Sequence, residues 1–468
     1  MVKKYFLVLV SFSVVLAACK SYLNVALPDM QEKPKPVEIP PSAQIPSGDP
    51  EKGYDYMVYG DFIGSGIPFE LYKTLRKGFE DTVLNREGAG KYVPYEENAF
   101  QADNGITVVS GNCFACHAST LNGEMILGLG RINSDFTRNY SILVKLLRTK
   151  VRTTYKKNTP EWQAFENLTL YQQALAPRIR TEIPGVNTAF RLEEACAMQR
   201  NPVDLTYQEE PLHEMNKFNI GSDIPPLWNM KKKNALYYNA MGRGDFTKLL
   251  MQASVLGIED SSAARKAHNQ FDDVKAWIES LEPPAYPKEI NQRLAKRGKT
   301  VYTLTCKKCH GTYGEEEIYP NLLVSLQEVE TDPYYALYFT QQSHLAEWYN
   351  QSWFANSYPQ SSLKPSEGYV APPLDGIWAS APYLHNGSVP TLEDLLNSPQ
   401  RPAYWTRSGK SEDYNYEKVG WNYKVEKDRK AEFAYDTSIP GYGNQGHTFG
   451  DHLTDQERKA LVEYLKTL

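Results

Sequence analysis

The chain has 468 residues, 41% of them hydrophobic and 23% charged, which is enough for two or three domains with a sizeable core. A formal net charge of -5 and a pI near 6.0 give no overall basic surface, so no nucleic-acid partner is expected. Six cysteines are present, and the five assigned below leave no pair for a structural disulfide.

At the amino terminus, Lys3-Lys4, an apolar stretch over 5–16 and Ala17-Ala18-Cys19 form the charged, apolar and small-residue regions of an export signal. The apolar stretch is too short to span a bilayer comfortably. Leu16-Ala17-Ala18-Cys19 also resembles a bacterial lipobox. That resemblance implies a signal peptide over 1–18, acylation of Cys19, and an exported lipoprotein that is periplasmic or associated with the outer membrane through its N-terminal lipid. The alternative is an ordinary cleaved signal that ends near a cysteine. Residues 19–53 are rich in Pro and poor in large apolar groups, so the linker is expected to be an extended spacer.

Two pentapeptides organise the rest of the chain, Cys113-Phe114-Ala115-Cys116-His117 and Cys306-Lys307-Lys308-Cys309-His310. Two thiols three residues apart, followed at once by an imidazole, let one turn of backbone form two thioethers to a porphyrin and place His on the iron. Each motif predicts one covalently bound haem c, with His117 and His310 as proximal ligands. A zinc half-site or redox dithiol is the competing reading of a lone CxxC, but no further Cys pair exists to complete zinc tetrahedra. Cys196 is left over and is expected to be a small buried core residue.

The two halves, 54–286 and 287–468, repeat one another across a break at Glu282-Pro283-Pro284. The segment 271–281 aligns with 458–468, pairing Val274 with Leu461, Trp277 with Tyr464 and Ile278 with Leu465 on one helical face. Thr454-Asp455-Gln456-Glu457 reads as a capping box that opens the last helix. Pro225-Pro226-Leu227 and Pro372-Pro373-Leu374 are each followed by Asn, at Asn239 and Asn386. A duplicated cytochrome unit accounts for these agreements in order. The first half inserts 131–219, read as a helical layer, and the second inserts 397–450, read as an ordered surface loop system. The expected fold is mainly α, with two packed cytochrome c-like helical domains and long loop insertions.

The sixth position on each iron separates electron carriers from sites that bind O2 or peroxide. For the second iron the candidates are His447, on a Gly-flanked loop before the last helix, and His385, with His447 preferred. For the first iron the repeat places no conventional ligand: Tyr238 stands opposite His385, and Met251 and His268 fall off register. An open first iron is therefore expected. Trp228, Tyr237 and Tyr238 are candidates for an aromatic relay, with core packing as the ordinary alternative. Asp245 is the nearest candidate for acid–base work, although Gly242-Arg243-Gly244-Asp245 equally reads as a turn.

The run from Gly376 to Leu392, which contains Ala381-Pro382-Tyr383-Leu384-His385-Asn386-Gly387, resembles the bacterial dihaem cytochrome c peroxidase superfamily. The segments 433–450 and 461–468 resemble its rubber-oxygenase-like (RoxA-like) branch more closely. The resemblance implies two cytochrome c domains with haems at their interface, and a distal His on the second haem at the place of His447. It also implies a Ca2+ ion between the domains, near Asn229, Ser380 and Pro382. The expected function is that of a dihaem oxidoreductase, peroxidase-like, drawing electrons from a small redox cytochrome or another periplasmic donor and reducing peroxide. An O2-dependent dioxygenase is the enzymatic alternative, and a simple electron-transfer cytochrome the non-enzymatic one.

Overall fold

A computed structural model describes residues 25–252 and 257–468. Cys19 and the export signal lie outside the described residues. The mainly α expectation is corrected: 36% of the chain is helical and 13% is strand, divided among several small sheets in a mixed α/β fold.

The strands enter where periodicity of two and turn chemistry override the helical repeat. After the first CxxCH motif, Ala118–Leu121 pairs with Glu124–Leu127 around Asn122 and Gly123, both at positive φ (52° and 82°). Asn-Gly in that conformation makes a two-residue hairpin turn whose twist suits antiparallel strands. Before the motif, Thr107–Gly111 is the centre of a sheet with Ile67–Pro68 and Glu97–Gln101. In the second insertion, Tyr404–Thr406 pairs with both Lys424–Val425 and Tyr435–Asp436. That insertion, expected to be a surface loop system, also has a buried centre. Trp405, Trp421, Tyr435 and Tyr442 are buried, with Trp405 stacked on Tyr435 at 5.2 Å.

Within this frame the duplication is visible as packing. The helix Pro50–Tyr59 lies against Phe271–Ser280, and Gln292–Thr305 lies against Asp455–Leu465. Each crossing is made possible by one glycine. A Cβ on Gly53 would meet the carbonyl of Asp273 and lie 3.0 Å from Trp277 Cβ; one on Gly298 would meet the carbonyl of Ala460 and lie 2.8 Å from Tyr464 Cβ. Placing Leu281 on Leu468 superposes Asp273 on Ala460 and Trp277 on Tyr464, so the two glycines do the same work in each unit. The bridges Leu236 to Gly242 and Tyr383 to Val389 repeat as well, with Tyr237 and Leu384 both at φ 68°. The last helix opens with its capping box closed, Thr454 N–H donating to Glu457 at 2.8 Å and Glu457 N–H to the Thr454 hydroxyl at 3.3 Å.

The units exchange core segments. Tyr335, Tyr338, Trp348 and Phe354 of the second half pack with Phe114, Phe190 and Trp277 of the first. Leu121, Leu129, Ile132 and Trp228 pack with the second-half core around Trp378 and Leu461. The inserted layer supplies helices Ser141–Thr154, Pro160–Leu175 and Phe190–Gln199, the last carrying the fully buried Cys196. The Pro-rich linker is extended but tied to the body from residue 26 onward. Val37–Glu38 adds a strand to Leu322–Ser325, Ile39 is 2% exposed, and Ile45 N–H donates to Asp245 at 2.7 Å. Backbone hydrogen bonds and one apolar anchor offset the entropy that composition alone favours.

Candidate haem centres

The second motif is the more fully framed. Helix Gln292–Thr305 runs directly into Cys306, and His310 N–H closes the turn on the Cys306 carbonyl at 3.0 Å. His310 Nδ1 is bonded to the Pro372 carbonyl at 2.8 Å, which orients the ring and leaves Nε2 for a metal. Opposite stands His447, its ring centroid 6.3 Å from that of His310. Metal–imidazole bonds of about 2 Å on both sides of one ion span a separation of this size.

Backbone chemistry holds His447 in place. Its own φ is 46° and follows Gly446 at 73°, where a Cβ would collide with the Glu330–Thr331 backbone. His447 N–H donates to Val329 at 2.7 Å, and Arg401 donates to the carbonyls of Asn444, Gly446 and His447 at 2.7, 2.6 and 3.1 Å. Burial pushes the imidazole down to about 3, so it is neutral and able to ligate.

Cys306, Cys309, His310 and His447 line one cavity of ≈450 Å³. His385 lines it too, but its ring is stacked on Tyr369 at 4.2 Å and 21°, flanked by Tyr238 at 6.2 Å and Tyr335 at 6.1 Å. The structure therefore sets His447, and not His385, across from His310. Lys233 also faces the cavity; burial draws its ammonium down to about 8, and among the described residues no carboxylate pairs with it. Asn229, Ser380 and Pro382 share the same wall, and Asn229 Oδ1 is buried without a hydrogen-bond partner while its Nδ2 donates to Pro373 at 3.3 Å.

The first motif differs. His117 N–H closes the turn on Cys113 at 2.9 Å, and Asn187 donates to Cys116 Sγ at 3.5 Å. Burial pushes the Cys113 thiol up to about 12 and the His117 imidazole down to about 4. His117 Nδ1, however, has no hydrogen-bond partner, and among the described residues no imidazole faces His117 as His447 faces His310. His268 is bonded to Thr247 at 2.8 Å and packs on Trp353, while His213 and His344 lie on each other at 4.7 Å. Met251 is buried in the first core.

The remaining candidates are all ordered. Trp228 is buried and donates to the Asp375 carbonyl at 2.8 Å, wedged between Gly128 of the first unit and Gly376 of the second. Tyr237 donates to Glu193 at 2.7 Å, and Tyr238 is hydrogen-bonded to Asp223. Asp245 serves as a helix cap: it accepts from Thr247 N–H at 2.9 Å, from the Thr247 hydroxyl and from Ile45 N–H.

Two carboxyls and one amine escaped sequence reasoning. Glu193 is buried and Asp223 half-buried beside the two tyrosines, and desolvation pushes each up to about 8. Arg407 stands near Asp223, and the Asp223 amide donates to the His385 carbonyl at 2.7 Å. No motif surrounds Glu193; Asp223 and Lys233 flank the Pro-Pro-Leu turn, and that nearness was the one usable signal.

The thiols, the anchored and facing imidazoles and the cavity fit a covalently held haem at the second motif, and the half-buried thiols with a neutral imidazole fit one at the first. Residues 368–406, which include the Ala-Pro-Tyr-Leu-His loop, match the family described as RoxA-like, cytochrome c-like. The match places a cytochrome c-like domain in this part of the chain, and that class of domain suggests haem c as the bound group. Two uncharacterized proteins of Sinorhizobium fredii (strain NBRC 101917 / NGR234) are similar to the chain. One, y4iJ, is 30% identical over 253 residues, 40% of this chain and 41% of its own length. The other, y4iM, is 25% identical over 321 residues, 58% of this chain and 70% of its own length. The aligned part thus spans less than half of the first relative.

Proposed function

We propose that the protein is an exported dihaem cytochrome c oxidoreductase, with its reaction site at the Cys113/Cys116/His117 haem and an electron-transfer site at the Cys306/Cys309/His310/His447 haem. When bound, the haems supply redox-active iron, the second to pass electrons and the first to meet peroxide. The observation that carries the reading is the contrast between the two imidazoles: His447 faces His310 at 6.3 Å, and among the described residues no His stands in that relation to His117.

The chain's own residues are suited to the work between the sites. Trp228 is pinned by its indole N–H to the Asp375 carbonyl, a rigid aromatic at the seam of the two units. Asp223 and Glu193, held largely protonated at neutral pH, can hold protons beside Tyr238 and Tyr237; they take the acid–base role considered for Asp245, which the helix cap occupies. Lys233 would give a cation to the wall of the cavity that would hold the second haem, and the orphaned Asn229 Oδ1, with Ser380 and Pro382, would serve a Ca2+ ion. Export is supported by the leader and lipobox resemblance. Ala26 N–H already donates to Gln341 at 2.7 Å, so a lipid on Cys19 would sit within a few residues of the folded body.

A second reading, supported by the RoxA-like match over 368–406, is O2-dependent cleavage of a carbon–carbon double bond at the first haem. Redox-poised absorption spectra test the assignment of sites. Two haems are expected, one low-spin throughout and one that binds carbon monoxide after reduction; two low-spin haems indifferent to carbon monoxide would leave only a passive electron carrier. Peroxide turnover with a reduced cytochrome then supports the first reading, and O2 uptake with an alkene the second.

A further inference from the structure

An apolar face of the inserted layer is left uncovered in an otherwise acidic protein. On helix Ser141–Thr154, Ile142, Leu143 and Leu146 are 72%, 62% and 62% exposed. The opposite face is satisfied: Val151 is fully buried, Leu147 packs on the first core, and Arg148 donates to Gln173 at 2.8 Å. At 100° per residue, Ile142, Leu146, Thr149 and Thr153 form the outward stripe, Leu143 and Lys150 border one side, and Lys145 and Arg152 the other.

The charge along this segment of the chain has one sign. Between Asp135 and Glu161 the chain carries seven lysines and arginines and no acidic residue, although the whole protein is at -5. We propose that this helix lies in the interface of an anionic phospholipid membrane, its leucines among the upper acyl chains and its lysines on the lipid phosphates. Three exposed aliphatic side chains with cations along both borders are what an interfacial helix presents to lipid: apolar area drives insertion, and long cationic side chains reach back to the headgroups. Nucleic acid would use the charge but leave the aliphatic stripe in water. This contact is independent of Cys19 and would add the second signal that one lipid anchor needs for stable attachment.

The test uses full-length holoprotein reconstituted in phosphatidylcholine vesicles with and without phosphatidylglycerol, read by hydrogen exchange over 141–154 and by trypsin cleavage at Lys145–Arg152. Slower exchange and cleavage on the anionic vesicles alone are expected. Leu143→Ser with Leu146→Ser should weaken the contact on the order of tenfold per leucine, and Lys145→Glu with Lys150→Glu by at least roughly fivefold per charge. These positions are exposed, and an unchanged Soret band and circular dichroism verify the fold of each variant. Equal exchange on both vesicle types, or variants indistinguishable from the parent, would overturn the proposal. Protection by duplex DNA matching that on anionic vesicles would reassign the face to nucleic acid and overturn it equally.

Discussion

The two CxxCH units are alike where the chain packs and unlike where iron would be capped. Gly53 and Gly298 admit the same helix crossing, and the bridges after the two Pro-Pro-Leu turns repeat. His310 is nevertheless fixed by the Pro372 carbonyl and faced by His447, whereas among the described residues His117 Nδ1 has no partner and no imidazole faces it. The packing is alike in the two halves, and the difference lies on the inserted segment. His447 sits on the 397–450 segment, which has no counterpart in the first unit, and it is braced by Arg401 of the same segment. On the proposed reading, one loop that supplies or withholds a single side chain separates the two sites.

The largest effect expected from breaking this contrast is at His447. His447→Ala should convert the second haem to a high-spin, carbon monoxide-binding form and raise its midpoint potential on the order of 0.1 V within the roughly 0.8 V that axial ligands command. His385→Phe, which keeps a ring on Tyr369, should leave the spin state unchanged; the reverse pattern in spectropotentiometry would exchange the roles of the two histidines.

The likeness of the units is sharpened by Gly53→Ala and Gly298→Ala. Each forces a methyl group against a carbonyl across the helix crossing, and each should cost about 1–3 kcal/mol in thermal or denaturant unfolding. Tolerance at one site alone would show that the crossings are not equivalent.

A pH effect should follow from Asp223. Its carboxyl is raised by desolvation from 3.8 to about 8 in the folded chain, so its contribution is full below pH 3.8 and is lost as pH rises toward 8. Asp223→Asn removes that titration. The gap in melting temperature between parent and variant should therefore move in the variant's favour from pH 4 to 8, measured by circular dichroism; parallel curves would contradict the buried carboxyl. The smallest effect is predicted for Lys233→Met. Removing a cation from the cavity wall disfavours the reduced iron, so the second potential should fall by on the order of tens of millivolts while the first stays constant.

Much of this was legible before any coordinates. The CxxCH turns, the capping box at Thr454 and the faces of the two terminal helices are local patterns, spaced within one or a few turns of backbone. The Asn122-Gly123 hairpin is equally local, but helical periodicity does not register it, and the mixed α/β character lies in such short strands. The aromatic residues of 397–450 suggested surface loops, yet Trp405 and Trp421 bury themselves, since large rings gain more from desolvation than a wet loop offers.

By itself, then, the sequence determined the two thiol–imidazole attachment turns and the repeated helices around them, because the atoms involved are neighbours along the chain. Tertiary structure alone decided that His447 meets His310 while His385 stacks on Tyr369, that Asp223 and Glu193 lose their water beside two tyrosines, and that each unit lends core residues to the other. Those outcomes depend on loops closing over long separations, where the partner of a side chain is set by what packs against it rather than by its spacing in the chain.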